Sequence, residues 1–531
     1  MDQKISLFRR LSAKIFIITT YLLTGFTILY ISWSLILIFR SNQLVTIIFN
    51  CCILIGEAIG LSFAVYLFAL LALSLRKPLK EPTFDYSFIP TVTVILPIFN
   101  EHHDVFHQTL DATIKLDYPP NKLEIIVVDD STQLTQAKKT KKLCKTLGVK
   151  YKHRDNRKGF KAGAINSVLE ETKGDFLVIL DADQIPFPYL LKSIIPHFID
   201  EKVALVQAKL SFRNLDCVTR KCAALVHTEF YEVFERAKDH IGTASFSGTT
   251  GAFRKTALLE IGGISEETIV EDADTAFKLL ARGYQGRLAD TYGSIGLTPW
   301  HFSSHIAQLW RMAQGTTAVL RKRTGLILQS DLPFFTKLDL LLSLAVTPAS
   351  VSIILVATIL SVMTIIEIPL IRLGGSLPLY LIMPTSVMLA HLLSAVLALK
   401  WGKQEKVPSH SIWEIVPFNI FSLMVLPFLI SAVIAGLKGK RSVFQRTEKL
   451  IPGNQAIQEG KRPITAENVF YSSVLVFLFG LFLIFCGFLA FLQNNLFYGL
   501  LISVGLCFLI PLPLLLNDYR IYGTKKVAEA T

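Results

Sequence analysis

Long, almost uncharged apolar runs lie on both sides of a polar middle region in this sequence. A helix needs about 20 apolar residues to cross the hydrocarbon core of a bilayer. Six runs reach that length, and 51% of all residues are hydrophobic. The runs are Ile15–Phe39, Val45–Leu75, Leu338–Ile366, Leu377–Leu399, Phe470–Leu492 and Leu496–Leu516. The sequence therefore predicts a membrane protein with six crossings and excludes an ordinary soluble enzyme.

Basic residues beside the apolar runs predict how the chain is oriented. Lys14 precedes the first run, and Arg76 and Lys77 follow the second. Because Lys and Arg favour the cytoplasmic side of a membrane, we expect the polar region that comes next to be cytoplasmic. The formal net charge of +13 fits this orientation, and the sequence contains no base-reading motif. We therefore expect a multi-pass plasma-membrane protein that binds no nucleic acid.

A further apolar segment, Ile412–Leu437, is interrupted by Pro417 and Pro427 and ends at the basic cluster Lys438–Arg441. If this segment crossed the membrane, the basic cluster would face outward, against the charge rule. We therefore expect it to lie along the cytoplasmic interface. The predicted regions are two transmembrane helices (1–77), a cytoplasmic domain (78–335), two transmembrane helices (336–400), interfacial helices (401–468), and two transmembrane helices with a short tail (469–531).

The polar region alternates predicted strands with predicted helices, which is typical of a doubly wound α/β domain. Predicted strands end at Pro97, at Asp129 and Asp130, and at Asp181, which is followed closely by Asp183. In such domains, ligands bind at the carboxyl ends of the strands. Two neighbouring carboxylates repel each other unless a cation lies between them. Oxygen ligands of this kind suit Mg²⁺ or Mn²⁺, whose usual purpose here is to neutralise a diphosphate.

Two predicted helices carry further polar groups. Glu271 and Asp272 fall in the first turn of a helix that stops at Gly283. Carboxylates at a helix start are often caps, so this position alone leaves a structural and a catalytic role open. Gln308 and Arg311 share one face of a helix predicted over residues 305–322. Both helices therefore offer candidate site residues.

The ordered set of motifs resembles the processive, inverting glycosyltransferases of the cellulose synthase and hyaluronan synthase kind, in glycosyltransferase family 2. The resemblance extends from Thr91 to about Lys449. The motifs in order are Asp129-Asp130, Lys161-Ala-Gly, Asp181-x-Asp183, Glu271-Asp272, Gln308-x-x-Arg311 and Phe444-x-x-Thr447. The resemblance implies a GT-A-like, nucleotide-sugar-binding α/β domain inserted between transmembrane helices.

The resemblance also implies a donor site. Asp129 and Asp130 match the carboxylates that meet the uracil and the ribose, and Lys161 resembles a lysine that contacts UDP. In the D-x-D pair, one carboxylate meets the metal and the other the diphosphate end. We expect Asp183 to be the ligand of Mg²⁺ or Mn²⁺, beside Asp181.

The catalytic groups implied by the resemblance lie on the two later helices. Asp272 matches the general base that deprotonates the acceptor hydroxyl, next to Glu271, with Val270 where the family has threonine. The Glu-Asp pair favours glucan synthases, and hence UDP-glucose as the donor. Arg311, in the motif that begins at Gln308, would bind the diphosphate, for which its planar guanidinium is suited.

The implied acceptor site departs from the family at one position. The motif's tryptophan, which stacks on the terminal sugar, is Met312 here, with Trp300 and Trp310 as candidate substitutes. A small-residue turn resembles the loop that contacts the acceptor; its residues are Phe246, Ser247, Gly248 and Thr249. Phe444 and Thr447 resemble a gating loop that closes over UDP.

The expected activity is transfer of a hexose, most simply glucose from UDP-glucose, with inversion to a growing β-glucan-type polymer that is translocated across the membrane. Accessory export proteins are further candidate partners. Two alternatives stay open. One is a single-transfer nucleotide-sugar:polyprenyl-phosphate glycosyltransferase, and the other is a non-catalytic transporter or scaffold.

Overall fold

A computed structural model describes residues 2–299, 301–370, 377–402, 408, 410–439, 464–493 and 498–516. Trp300 and the gating-like residues Phe444 and Thr447 lie outside these ranges. Within them, an α/β domain stands between long apolar helices, as the sequence predicts.

Two long helices open the chain: α1 (Asp2–Ile38) and α2 (Leu44–Ser74). Most of α1 and all of α2 are long and apolar enough to cross a membrane. Glu57 is the single acidic residue of α2, and its carboxylate accepts a hydrogen bond of 2.8 Å from the Tyr30 hydroxyl of α1. A carboxylate in hydrocarbon is unfavourable without a polar partner, so this contact explains how the second run tolerates it.

The elements of the domain alternate between strands and helices, and a π-helical turn, Phe230–Glu235, separates two of the helices. The strands are β1 (Val92–Ile98), β2 (Leu123–Asp129), β3 (Lys150–His153), β4 (Phe176–Ile179), β5 (Ile185–Pro186), β6 (Val203–Phe212), β7 (Gly251–Arg254) and β8 (Gln285–Gly296). The helices between them are α3 (His103–Ile114), α4 (Leu134–Thr146), α5 (Phe160–Leu169), α6 (Leu190–Ile194), α7 (Val218–Glu229), α8 (Arg236–Asp239), α9 (Lys255–Glu260) and α10 (Glu271–Ala281).

Within the described residues, the strands form one sheet in the order β3-β2-β1-β4-β7-β6-β8-β5. β1 to β4 pair in parallel, whereas β7 runs antiparallel to both β4 and β6. The sequence predicts β1, β2, β4 and β6 but misses the other four strands. The longest missed strand, β8, contains three glycines and pairs with β6 through register shifts, so it lacks a clean alternation of apolar residues.

The strands form because their apolar residues are buried on both faces of the sheet. In β1, Val94 and Leu96 pack into one hydrophobic core, and Ile95 packs into the core on the other face. Helices α3 and α6 cover the first core, and α5 and α9 cover the second. Because both faces of the sheet are covered, its strands are apolar along their length. The polar residues that follow them lie at the open edge of the sheet.

Two helices carry the chain from the domain to the membrane: α11 (Phe302–Gln329) and α12 (Phe334–Ile365). A Cβ added at Gly315 of α11 would lie 2.4 Å from the side chain of Val270, immediately before α10. Arg323 of α11 donates two hydrogen bonds, of 2.6 and 2.9 Å, to the buried carboxylate of Asp274 in α10. Close packing and a bidentate ion pair therefore fix α10 against α11.

The remaining helices are apolar: α13 (Leu377–Trp401), α14 (Ile415–Met424), α15 (Leu426–Leu437), α16 (Ile464–Leu492) and α17 (Tyr498–Phe508). In the described part of the chain, five segments meet the length and hydropathy of a membrane span. These segments are Leu11–Ile38, Leu44–Ser74, Phe334–Ile365, Tyr471–Leu492 and Gly499–Leu516. The predicted crossing at 377–399 coincides with α13. The predicted interfacial segment contains α14 and α15, which meet at a bend of 44° and together are also long and apolar enough for a broken span, so its interfacial position stays a prediction.

Gly315→Ala should destabilise the protein, because the added methyl group would press on Val270 where α11 meets α10. Overpacking of this kind costs about 1–3 kcal/mol. Gly325→Ala in the same helix is the matched control, since nothing lies within 4 Å of its added Cβ. Alanine is the better helix former by up to about 1 kcal/mol, so this control should hold or raise stability. Apparent Tm in detergent measures both variants; equal values would contradict the packing described.

Candidate active site

Lys161 joins three parts of the domain at the open edge of the sheet. Its Nζ donates hydrogen bonds to Asp181 Oδ1 at 2.6 Å and to the Gly248 carbonyl at 2.7 Å. It also lies 4.0 Å from Glu271 Oε1. Burial lowers the pKa of Lys161, but the carboxylates of Asp181 and Glu271 outweigh burial, and the net shift is upward. The ammonium group is therefore a fixed positive charge between two acidic positions that are 90 residues apart in sequence.

The turn before Lys161 is fixed by an arginine that the sequence analysis does not single out. Arg154 forms a bidentate pair with the Asp130 carboxylate and donates to the carbonyl of Phe160 at 3.1 Å. Gly159 has a φ of +73°, which lets the chain turn sharply into α5. Through Arg154, Asp130 thus fixes the start of α5, the helix that carries Lys161.

Asp129 is enclosed at the end of β2. Its Oδ1 accepts from the backbone N–H of Ser131 at 2.8 Å, and its Oδ2 accepts from the hydroxyl of Tyr151 at 2.8 Å. Both predicted nucleotide-binding carboxylates, Asp129 and Asp130, are therefore engaged by partners within the chain. A nucleotide would have to share these partners or displace them.

The pair Asp181 and Asp183 follows β4 in a tight turn. The backbone N–H of Asp181 donates to Thr249 Oγ1 at 2.9 Å, which ties the turn to the small-residue loop. Asp183 is 6% exposed. Burial lowers the pKa of Arg213, and the charge of Asp183 opposes this shift. Asp181 therefore faces Lys161, while Asp183 is enclosed on the side nearer Arg213.

Glu271 and Asp272 open α10, as the sequence predicts. Burial and repulsion from Asp272 raise the pKa of Glu271 to about 7. Burial also raises the pKa of Asp272, although the Ala273 N–H and the charges of Lys161 and Arg311 oppose the rise. Asp272 Oδ1 accepts from the Ala273 N–H at 2.8 Å, so one oxygen does bind the helix start. A Cβ added at Gly248 would lie 2.8 Å from the other oxygen, Oδ2, which therefore faces the loop.

Arg311 of α11 approaches the same carboxylates. Burial lowers the pKa of Arg311, and the charges of Glu271, Asp272 and Asp181 oppose this shift. The three carboxylates therefore lie near enough to interact electrostatically with the guanidinium group of Arg311. The site thus combines two cationic side chains with three carboxylates, so an anionic ligand would be favoured here only together with further positive charge.

The two other predicted positions on α11 differ in exposure. Gln308 is partly exposed, and Met312 is 42% exposed. The indole N–H of Trp310 donates to Ser431 Oγ of α15 at 2.9 Å. Trp310 therefore packs toward the apolar helices, which leaves Met312 as the exposed side chain at this part of α11.

The predicted acceptor loop is only partly open to a ligand. The ring of Phe246 is 4% exposed and packs edge-on against Phe253, with centroids 4.6 Å apart. Its ring therefore belongs to the hydrophobic core, and the contact of Phe246 with an acceptor stays a prediction. Gly248, with a φ of +93°, presents its carbonyl to Lys161, while Ser247 and Thr249 flank it.

Residues 93–262 match the family described as Glycosyl transferase family 2. The chain is 34% identical over 254 residues to a cellulose synthase catalytic subunit (UDP-forming) of Xanthomonas axonopodis pv. citri, a match that covers 46% of this chain and 34% of that protein. It is 31% identical over 257 residues to glucomannan 4-beta-mannosyltransferase 7 of Arabidopsis thaliana, covering 46% and 45%. The chain therefore spans less than half the length of these curated relatives.

Among solved structures, the fold resembles that of the mannosyltransferase PcManGT from Pyrobaculum calidifontis, which was determined in complex with GDP-Man and Mn²⁺. The TM-score is 0.50 at 23% identity, and the match covers 73% of this chain and 100% of that one. At this identity the likeness concerns the fold alone. Residues 93–262 of this chain are therefore similar to glycosyl transferase family 2, the curated relatives include a cellulose synthase catalytic subunit, and the α/β domain has a GT-A-like fold.

Proposed function

We propose that this protein is an inverting polysaccharide synthase that transfers a hexose, foremost glucose from UDP-glucose, to a growing β-glucan-type polymer. The observation that carries the proposal is the contact of Lys161 with Asp181, the Gly248 carbonyl and Glu271. These contacts bring the motifs with proposed donor-binding, acceptor-binding and catalytic roles into one cluster. The similarity to cellulose synthases supports glucose as the sugar.

Asp272 is the proposed general base. Its Oδ2 faces the loop rather than the helix backbone, and its raised pKa suits a group that accepts a proton near neutral pH. When Asp272 removes the acceptor hydroxyl proton, the oxygen attacks the anomeric carbon from the face opposite UDP. The bond to the diphosphate breaks on the other face, so an α-linked donor gives a β-linked product.

Lys161 and Arg311 are the proposed partners of the diphosphate. Both are basic groups near the carboxylates, and the planar guanidinium of Arg311 suits two phosphate oxygens at once. Positive charge placed here favours the leaving diphosphate, on which negative charge develops as the glycosidic bond breaks. Asp129 and Asp130, at the end of β2, are the proposed contacts of the uracil and ribose.

Asp183 is the proposed protein ligand of a divalent metal, Mg²⁺ or Mn²⁺. In the described residues, no group of three or more acidic, histidine or cysteine side chains gathers around one point. A single carboxylate fits Mg²⁺ or Mn²⁺, because these ions commonly take one or two protein carboxylates and fill their other positions with phosphate oxygens and water. When bound, the ion would supply charge neutralisation for the diphosphate.

The acceptor polymer is proposed to lie between the loop of Ser247–Thr249 and the exposed face of α11 that includes Met312. Helix α11 packs on α12 and α15, which belong to the apolar part of the protein. A growing chain released here would meet the membrane-spanning helices, which can offer a hydroxyl-rich polymer a protein-lined path across hydrocarbon. The domain is proposed to be cytoplasmic, from the basic flanks of the apolar runs.

The test is to supply purified protein with each UDP-sugar in turn, measure UDP release, and analyse the linkage of the product. A β-linked glucose polymer from UDP-glucose is the expected result. One sugar added to polyprenyl phosphate, without polymer, would instead indicate a single-transfer enzyme. No turnover with any nucleotide sugar would favour a transporter or scaffold.

Asp272→Asn should lower kcat by about 10²- to 10⁴-fold, the range attributed to a general base. UDP should still bind, which isothermal titration calorimetry measures. Asp111→Asn is the matched control, because this exposed carboxylate of α3 pairs with Lys115, the residue after that helix, away from the site. Turnover retained in Asp272→Asn would remove Asp272 from the role of base.

The rate of transfer should rise with pH through the neutral range. Burial and repulsion from Asp272 raise the pKa of Glu271 to about 7, and burial raises the pKa of Asp272 as well, so the pair loses protons as the pH rises, and only the deprotonated base is active. The inflection in kcat/KM belongs to the coupled pair. Glu271→Gln should shift it to lower pH, since one negative neighbour is removed. A transfer rate that does not change between pH 5 and pH 8 would contradict this assignment.

Removal of divalent metal by a chelator should abolish transfer, and excess Mn²⁺ or Mg²⁺ should restore it. Asp183→Asn should need a higher metal concentration for half-maximal activity, because it removes the charge of the proposed ligand. Titration of activity against free metal ion measures both effects. Full activity of the wild type in chelator would refute the metal assignment.

A further inference from the structure

Side chains of β6 and of the π-helical turn Phe230–Glu235 bind the loop that carries Gly248. The held residues are Ser245, Ser247 and Thr249, which alternate along the loop. Gly248 lies between two of them, and its carbonyl accepts from Lys161 on the side of the active site. The loop therefore has an anchored side and a side that faces the catalytic groups.

Gln207 of β6 supplies the central anchor. Its side chain is fully buried, and its Oε1 accepts from the backbone N–H of Ser247 at 2.8 Å. Its Nε2 donates to the carbonyl of Thr249 at 3.0 Å. One amide thus binds the backbone on both sides of Gly248, as a neighbouring strand would.

The π-helical turn Phe230–Glu235 supplies the other anchors. The hydroxyl of Tyr231 forms a hydrogen bond of 2.6 Å with Ser247 Oγ. The Glu235 carboxylate accepts from the Ser245 N–H at 2.6 Å and from its hydroxyl at 2.7 Å. Tyr231 and Glu235 are both buried. Single π-helical turns are uncommon and often occur at functional sites, and this one directs two polar groups at the same loop.

The position of Gly248 determines what the catalytic groups contact. With a φ of +93° and no side chain, Gly248 approaches Asp272 so closely that an added Cβ would lie 2.8 Å from its Oδ2. The same residue binds the ammonium group of Lys161 through its carbonyl. A shift of the loop would therefore change the surroundings of the proposed base and of the lysine together.

We propose that Gln207, Tyr231 and Glu235 are positioning residues, which hold Gly248 between Lys161 and Asp272 so that the base is correctly placed for transfer. This inference rests on the proposed function. In the contacts described above, the three residues bind the loop and not Lys161 or Asp272. They therefore act on these two groups through the loop. A misplacement of about 1 Å at a reacting group can lower a rate by about 100-fold.

The test compares two substitutions of Glu235 in the full-length protein. Glu235→Leu removes both acceptors of Ser245, and kcat should fall about tenfold or more, while KM for UDP-glucose changes less than about threefold. Glu235→Gln keeps one acceptor for the N–H and can donate to the hydroxyl, so it should restore kcat to within about threefold of wild type. Equal loss in both variants, or a raised KM with unchanged kcat, would overturn the proposal.

Tyr231→Phe provides a second variant that preserves shape. It removes only the hydroxyl that binds Ser247, and kcat should fall about threefold to tenfold. Tyr118→Phe is the matched control, because this buried tyrosine donates to the Pro90 carbonyl at 2.7 Å, at the opposite edge of the domain. It should leave kcat unchanged. If both variants reduce kcat equally, the effect is general destabilisation and the proposal fails.

Amide hydrogen exchange by mass spectrometry separates this inference from the proposed function. Exchange at residues 245–250 should be at least about tenfold faster in Glu235→Leu than in wild type, and unchanged in Tyr118→Phe. If the wild type turns over no nucleotide sugar, the proposed function fails, and exchange alone decides whether these side chains hold the loop. Unchanged exchange in Glu235→Leu would overturn the positioning inference.

Discussion

The candidate site depends on the contacts of the partly buried ammonium group of Lys161. Three partly buried carboxylates, Asp181, Glu271 and Asp272, approach each other around it. Without a positive charge among them they would repel one another or take up protons. Lys161 binds Asp181 and the Gly248 carbonyl directly and lies near Glu271. Arg311 adds a second positive charge from α11. A diphosphate bound beside Lys161 and Arg311 would therefore need further positive charge, which a divalent metal ion can supply.

The link between this site and the membrane is the contact of α10 with α11. Gly315 allows α11 to approach Val270 closely, and Arg323 binds the buried carboxylate of Asp274. These contacts place the start of α10, with its two acidic residues, beside Arg311. The opposite side of α11 packs on α15, where Gly436 also permits close approach. A single helix therefore connects the proposed catalytic residues with the apolar helices.

The sequence predicts the strands whose apolar residues are consecutive, because burial on both faces gives such strands a clear pattern. It misses β7 and β8, in which glycine and polar residues interrupt that pattern. Side-chain direction is equally hard to predict: Phe246 lies in the core, and Trp310 binds α15. The supporting residues Arg154, Gln207 and Tyr231 carry no motif of their own. Their role follows from contacts between residues distant in sequence, which spacing alone does not reveal.

A structure of the protein with a bound, non-hydrolysable UDP-glucose analogue would test the central claim most directly, namely that separate acidic motifs form one nucleotide-sugar site. We expect the diphosphate to lie beside Lys161 and Arg311, with the anomeric carbon on the side of Asp272 and close enough, about 3–6 Å, for an acceptor oxygen to lie between them. A nucleotide bound elsewhere, or one with its sugar directed away from Asp272, would contradict it.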